Sequence, residues 1–305
     1  MKKFLLYITL SLVVLYAKAQ QDPMFTQYMF DKMLINPAYV GSSNWIVATA
    51  KYRNQFVGVP GGPSTTTFTF HTPIEKKNLG VGLKFISDKT GVATNNWFTL
   101  NGAYHVKLKE AKLSFGLEAG FINRNIDYSK LAKYDLDDNN IPISENVILP
   151  DVSFGTYFQT NKFYSGISLY HLIANTSKTS SADVRLNKHY FAIVGNVFDI
   201  VEKKFAIDPS LLVKYVAAAP LSLDVNMNFV FNNRFTFGTT WRQGDAMAFI
   251  IKADITEQIR FAYSYDVNTS GLSTFSNGGH EVLLSYGIKI LPPPALKDVH
   301  PRYYF

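Results

Sequence analysis

The chain has 305 residues and no cysteine, and its 30 Lys and Arg against 23 Asp and Glu give a formal net charge of +7. The lack of thiols excludes a small disulfide-stapled secreted domain, cysteine-based metal sites and thiol catalysis. Aromatic residues make up 15% of the chain and charged residues only 17%. This balance is unusual for a soluble protein, in which charged residues reach about 25%.

The first 19 residues have the pattern of an export signal. Lys2 and Lys3 precede an apolar run that begins at Phe4, and the stretch AKA at residues 17–19 matches a cleavage site. The apolar run is too short to span a bilayer as a helix. Cleavage after residue 19 removes three lysines and lowers the net charge to about +4. The remaining chain shows no clustered basic face, so we expect no nucleic-acid partner.

Residues 20–44 do not resemble a spacer. Spacers are poor in aromatic residues and rich in Ser, Gly or charge. This stretch includes QQDPMFTQYMFDKMLINPAYVG, with two prolines that restrict the backbone and with aromatic side chains at Phe25, Tyr28, Phe30 and Tyr39. A mature N-terminus with so much apolar material must dock onto something.

Residues 45–290 repeat one pattern, in which apolar and polar residues alternate over segments of about ten residues. Between Leu221 and Phe231, for example, every second residue is apolar and the intervening ones include Ser, Asp and Asn. Neither a helical apolar stripe nor capping boxes occur over a comparable length. The pattern predicts about fourteen strands. They lie near residues 45–54, 64–73, 79–88, 95–108, 111–126, 150–160, 161–172, 188–200, 203–217, 220–232, 234–243, 245–255, 258–268 and 280–290.

The lengths of the connections distinguish two all-β folds. Connections after even-numbered strands are all short, whereas the long ones all follow odd-numbered strands, at residues 55–63, 89–94, 127–149, 173–187 and 269–279. Transmembrane barrels sort their loops in this way, but a soluble β-sandwich has no reason to do so. The sequence therefore predicts a transmembrane antiparallel up-and-down β-barrel over residues 45–290, with both termini periplasmic.

Candidate chemistry is weak along the whole chain. The six histidines are scattered without the spacing of metal ligands. A loop that begins at Asp135 resembles a calcium loop, but Asn140 and Asn146 replace the required Gly and Glu, so a solvated outer loop is favoured. Strand glycines such as Gly80 and Gly116 are interpreted as bend or close-approach positions. We expect no catalytic residue, no metal site and no cofactor.

The predicted lumen carries charges of both signs. Mixed charges suit an interior closed by cross-strand ion pairs better than a selective pore, which would show a ring of one sign. The predicted inward-facing charges are Lys51, Arg53, Lys84, Lys107, Glu118, Asp224, Arg242, Lys252, Asp254, Arg260, Asp266 and Glu281. A barrel of about fourteen strands is wide enough to need a plug if it is not to leak.

Five stretches carry a resemblance to a known family. They are residues 22–30 (DPMFTQYMF), 35–41 (INPAYVG), 52–56 (YRNQF), 276–281 (SNGGHE) and 301–305 (PRYYF). Together they resemble the PorP/SprF family, membrane proteins of the type IX secretion system and its gliding machinery. The family more often has Trp at the position of Phe56 and Ser at that of Gly279, and its terminus has one Tyr fewer.

The resemblance implies a non-enzymatic barrel in the outer membrane of a Gram-negative cell. It implies outer-membrane lipids, periplasmic lipoprotein components of the machine and secreted cargo with a C-terminal sorting domain as partners. The implied roles are binding of machine components or support for the export and surface attachment of a cargo adhesin. The alternative function is a passive porin or small-solute transporter.

Two hypotheses assign a role to the chain ends. In the first, residues 20–41 and the tail 291–305 form a joint periplasmic surface that docks a partner. The residues expected to bind that partner are Phe25, Gln27, Tyr28, Phe30, Asn36, Pro37, Tyr39, Arg302, Tyr303 and Phe305. In the second, residues 20–41 fold upward and plug the barrel.

Overall fold

The structure, a computed structural model, describes residues 22–130, 143–173, 176–178, 183–202, 204–217 and 219–290. The expected signal peptide, the loop from Asp135 to Asn140 and the tail 291–305 lie outside the described residues. Helices in the described part of the chain are short 3-10 turns, and none of them is long and apolar enough to cross a bilayer. They are Tyr28–Phe30, Lys32–Leu34, Pro37–Tyr39, Glu75–Lys77, Tyr128–Lys130 and Gly271–Thr274.

The described residues form β1 (Trp45–Asn54), β2 (Ser64–Ile74), β3 (Leu79–Thr90), β4 (Ala93–Lys107), β5 (Ala111–Asp127), β6 (Ser144–Thr160), β7 (Phe163–Tyr170), β8 (Thr176–Lys178), β9 (Asp183–Arg185), β10 (His189–Asn196), β11 (Phe198–Val201), β12 (Phe205–Val216), β13 (Ser222–Phe231), β14 (Phe235–Arg242), β15 (Ala246–Asp254), β16 (Ile259–Asn268) and β17 (Gly279–Lys289). The strands β8 and β9 form a small hairpin of their own. All other strands belong to one antiparallel sheet.

That sheet is a closed barrel. Each strand pairs with its sequence neighbour, and β1 pairs with β17, so that Trp45 lies opposite Lys289. The strands β10 and β11 are two parts of one strand interrupted at Val197, because both pair with β12. Counted in this way, the described chain contributes fourteen strands, and the predicted up-and-down barrel is confirmed.

One predicted loop is wrong. Residues 89–94 were expected to form a long connection, but the pairing of β3 with β4 continues to Lys89↔Thr94 and Thr90↔Ala93. Only Gly91 and Val92 remain for the turn. Gly91 has a φ of +58°, which a glycine adopts without the steric cost that a side chain would bring.

The connections divide the barrel into two ends. The end with the short connections, at which β2, β4, β6, β11, β13 and β15 end, is called the turn end here. The opposite end, at which β1, β3, β5, β7, β12, β14 and β16 end, is called the loop end. The strand β1 begins and β17 ends at the turn end. That the turn end, and with it the chain that follows β17, faces the periplasm stays a prediction.

The two faces of the sheet differ as the alternation predicted. The outward face exposes large apolar side chains, such as Leu100 and Phe249, of which 71% and 53% are exposed. The inward face buries charges that pair across strands, such as Lys84 with Glu118 at 2.7 Å. Ten of the twelve predicted inward charges are buried: Lys51, Arg53, Lys84, Glu118, Asp224, Arg242, Lys252, Arg260, Asp266 and Glu281. Lys107 is exposed and Asp254 is half-buried at strand ends.

Residues 22–44 run down the inside of the barrel from the loop end to the turn end. Asp22 contacts His171 and His189 at the loop end, at the end of β7 and the start of β10. Near the turn end, the carbonyl of Ser42 accepts hydrogen bonds from Lys112 Nζ and from a glutamine of β6. The described start of the chain therefore lies at the end of the barrel opposite to the start of β1.

Candidate functional site

The seven N-terminal residues expected to bind a partner all lie inside the barrel. Each is buried, and Gln27 and Tyr28 have no exposed surface. The seven are Phe25, Gln27, Tyr28, Phe30, Asn36, Pro37 and Tyr39. In this arrangement they contact the barrel wall rather than the surface. The other three, Arg302, Tyr303 and Phe305, lie outside the described residues, so their role stays a prediction.

The upper part of the segment is held by a group of five residues, called the anchor cluster here: Thr26, Gln27, Arg53, Asp266 and Glu281. The Glu281 carboxylate accepts the backbone N–H groups of Thr26 at 2.8 Å and of Gln27 at 3.1 Å. Arg53 donates to Glu281 at 2.9 Å and to Asp266 at 2.6 Å. The Thr26 hydroxyl lies 2.9 Å from both Asp266 oxygens. All five side chains are buried. A buried charge is costly unless it is paired, and in this cluster each charge faces an opposite charge or a hydrogen-bond donor.

The anchor cluster joins four stretches of the chain: the inserted segment, β1, β16 and β17. Thr26 and Glu281 are separated by 255 residues, and Arg53 comes from β1. Three of the four stretches carry the family resemblance, and the fourth, which contributes Asp266, belongs to β16. His280, next to Glu281, points to the other face of β17 and contacts the Tyr263 hydroxyl at 2.7 Å. Successive side chains of a strand point to opposite faces of the sheet, so neighbours such as His280 and Glu281 are expected to face apart.

The lower part of the segment lies against a row of small residues, called the small-residue row here: Gly80, Ala103, Gly116 and Gly155. These four are direct cross-strand partners in β3, β4, β5 and β6. A Cβ added at Gly80 would overlap the backbone of Val40, and one at Gly116 would overlap that of Ala38. The interpretation of Gly80 and Gly116 as close-approach glycines is therefore confirmed.

Asn36 connects this part of the segment to two strands. Its amide donates to the carbonyl of Thr156 at 2.9 Å and to that of Ile167 at 3.4 Å. Its side-chain oxygen accepts the N–H of Ala38 at 2.9 Å and thereby caps the 3-10 turn Pro37–Tyr39. A Cβ at Gly155 would overlap the Asn36 side chain, so the residue needs glycine opposite it.

The aromatic residues of the segment contact cations and rings of the wall. Lys51 Nζ lies 5.1 Å from the Phe25 ring centre, and Lys252 Nζ lies 5.7 Å from that of Phe30. Tyr39 packs edge-on against Tyr157, with 5.4 Å between ring centres. Such contacts stabilise by about 0.5–2 kcal/mol each when desolvated. The aromatic side chains that distinguish residues 20–44 from a spacer therefore contact cations and rings on the inner wall of the barrel.

A narrow cavity that opens to solvent lies between the start of the segment and the wall. Its walls include Trp97, Phe191 and Leu212, and its polar margin includes Asp22 and His171.

Asp22, His171 and His189 meet at this margin. His171 Nε2 lies 2.9 Å from Asp22 Oδ2, and His171 Nδ1 lies 3.0 Å from Asp151 Oδ2. Burial alone would lower the pKa of His171, but the carboxylates of Asp22 and Asp151 outweigh it and raise that pKa to about 10. Burial would likewise raise the pKa of Asp22, yet the two histidines hold it below its usual value.

The spacing of histidines and carboxylates along the chain does not predict this group of residues. Asp22 and His171 are 149 residues apart, far outside the spacing of local metal-binding motifs. A signal was present in the position of the two histidines, since His171 and His189 flank one long loop-end connection. Residues at the two ends of one loop come together when the strands pair.

Comparison with known proteins identifies a family and a fold. The family model of the type IX secretion system membrane protein PorP/SprF matches residues 17–286. No curated protein matches the chain. Among solved structures, the CymD monoaromatic hydrocarbon channel is similar, with a TM-score of 0.53 and 10% identity over 86% of this chain and 93% of that one. The outer membrane protein Omp33 of Acinetobacter baumannii has a TM-score of 0.45 and 7% identity over 81% of this chain and 97% of its own.

Proposed function

The chain belongs to the PorP/SprF family of type IX secretion system membrane proteins, and from that premise we propose that it acts as a plugged, non-conducting barrel of the secretion machine. It is an outer-membrane β-barrel of that system, and the family and fold are those of a non-enzymatic component. Residues 22–44 seal the lumen. The barrel acts on other proteins of the machine and does not transport solutes.

The main support is the position of the stretches 22–30 and 35–41, which bear the family resemblance. Both stretches lie inside the barrel and fill its lumen. The anchor cluster and the small-residue row each match one of these stretches. The wall has glycines where the backbone of the segment comes close, and charges where its polar groups need partners. The wall and the segment are therefore complementary, which supports a filled lumen. Docking of a partner through Phe25, Tyr28 or Tyr39 would require the segment to leave the lumen.

The turn end is the surface that we propose for partners. The turns there are short, β1 begins and β17 ends there, and the chain beyond Ile290 continues into the tail that contains Arg302, Tyr303 and Phe305. With the turn end in the periplasm, this tail meets periplasmic lipoprotein components of the machine. The barrel can serve the machine in a second way, by supporting the export and surface attachment of a cargo with a C-terminal sorting domain.

Crosslinking followed by co-purification from native membranes tests the proposal. The wild-type barrel is expected to bring down machine components. A variant that ends at residue 290 is expected to lose them while it keeps the low ion conductance of the wild type in planar bilayers. Equal recovery of partners by both proteins contradicts the proposed role of the tail. A large and stable conductance of the intact protein contradicts the sealed barrel and favours the passive porin.

A further inference from the structure

The group of Asp22, His171 and His189 at the loop end has the composition of a metal site. One ligand atom from each of the three lies within 4.8 Å of the others. Both histidines are buried and Asp22 is half-buried, so the group sits at the edge of the cavity rather than in open water. Two imidazoles and one carboxylate are a donor set that binds zinc in proteins.

The contacts of the second ring nitrogens support this reading. His189 Nδ1 donates to the carbonyl of Asn187 at 2.9 Å, and its Nε2 accepts the backbone N–H of Asp22 at 3.4 Å. These two contacts agree on the neutral tautomer, in which Nε2 carries a lone pair toward Asp22. Metal-binding histidines show this arrangement, because a carbonyl or carboxylate on one nitrogen orients the other toward the ion.

His171 has the corresponding arrangement with a carboxylate. Its Nδ1 faces Asp151 at 3.0 Å while its Nε2 faces Asp22 at 2.9 Å. Asp151 is buried on β6, and its carboxylate places a negative charge beside Nδ1 of the ring. When a divalent ion binds, the proton on Nε2 leaves to solvent, and the freed lone pair and the Asp22 carboxylate coordinate the ion.

We propose that Asp22, His171 and His189 form a binding site for a divalent transition metal ion of the zinc type, with Asp151 and the carbonyl of Asn187 orienting the two imidazoles. The site takes three protein ligands, and water from the adjacent cavity completes the coordination. An ion bound here ties Asp22, at the start of the segment, to the loop-end residues beside β7 and β10.

The ion therefore stabilises the inserted segment. Anything that binds only the assembled site shifts the equilibrium toward it by mass action. This consequence rests on the proposed plug, but the binding itself does not. Zinc binding by an intact barrel that shows a large and stable conductance would contradict the plug and keep the site, so the two failures are distinguishable.

Zinc titration of the purified full-length barrel against a chromophoric chelator tests the site, with Mg²⁺ as the comparison ion. We expect one Zn²⁺ per barrel and no competition by Mg²⁺, which prefers oxygen ligands. His189→Gln and Asp22→Asn are expected to weaken zinc binding by at least about tenfold, and Asp151→Asn by about 10–100-fold. His280→Gln is the matched control, because His280 lies near the loop end but outside the group.

Co²⁺ absorption provides a second readout that is independent of stability. The wild type is expected to show ligand-field bands that His171→Gln and His189→Gln lose and His280→Gln keeps. Heat-modified electrophoretic mobility identifies variants that fail to fold. Absence of stoichiometric zinc binding by the wild type, or equal zinc affinity of the wild type and the folded His171→Gln and His189→Gln variants, overturns the proposal.

Discussion

A single carboxylate, that of Glu281, receives two backbone N–H groups of the inserted segment and one nitrogen of Arg53. Hydrogen bonds to a charged group contribute about 1.5–3 kcal/mol each, roughly twice the value of neutral ones. The backbone groups of a segment without regular helix or sheet need partners inside the protein. Glu281 supplies them where the segment begins to descend.

Replacing Glu281 by Gln is therefore expected to loosen the segment. The chain has no cysteine, so Met33→Cys, at a position with no exposed surface, reports opening through its reaction with a polar maleimide. A loss of about 3 kcal/mol raises the labelling rate about a hundredfold. Glu257→Gln in an exposed turn is the matched control. Equal labelling in the two variants would show that the anchor cluster does not hold the segment.

The buried pair of Lys84 and Glu118 permits a second test. Its atoms are 2.7 Å apart and neither residue is exposed by more than 4%. Lys84→Met leaves a buried unpaired carboxylate and is expected to cost about 3–5 kcal/mol of unfolding free energy. Adding Glu118→Leu removes that charge and is expected to restore most of the loss. Urea unfolding of the four proteins measures the coupling, and additive effects contradict it.

At the scale of elements, the small-residue row brings the segment and the sheet together. Four inward residues without large side chains let the backbone of residues 36–41 approach the wall, as glycine does wherever two backbones meet closely. The short 3-10 turns of the segment suit this space, because they change direction every few residues and keep to the width of the lumen. No long helix of the described chain takes part.

A side chain placed in this row is expected to expel the lower segment. Gly116→Leu overlaps the backbone of Ala38, whereas Gly102→Leu points outward into space with no atom within 4 Å. We expect Gly116→Leu, and not Gly102→Leu, to expose Met33→Cys to the maleimide and to raise conductance in planar bilayers. Similar labelling and conductance of both variants would show that close backbone approach is not what seats the segment.

For the whole molecule, the strand number and the buried segment belong together. A barrel of fourteen strands encloses more space than its own side chains fill, so residues 22–44 complete its interior. Deleting residues 22–41 is expected to give a folded barrel with stable single-channel conductance, while the full-length protein stays closed. Heat-modified mobility checks that the truncated barrel folds. A folded truncation that remains closed would show that the wall or the loops seal the lumen without the segment.

Most of the barrel could be predicted because its signals are local. Alternation with period two defines strands and faces, and turn residues separate them, so the fourteen strands and ten of the twelve inward charges are confirmed. The errors are local too. The turn at Gly91 and Val92 was expected to be longer, and β6 begins at Ser144 rather than near residue 150, because polar residues that pair at strand ends resemble loop residues.

The place of residues 22–44 could not be predicted in the same way. Sequence alone showed that so aromatic a segment must dock, and it left a partner surface and the lumen open as alternatives. The decision depends on Glu281, Asp266 and the row from Gly80 to Gly155, which approach the segment only after the sheet has closed. The site of Asp22, His171 and His189 depends on the same closure. A sequence determines what each strand buries and exposes, but contacts across more than a hundred residues exist only in the tertiary structure.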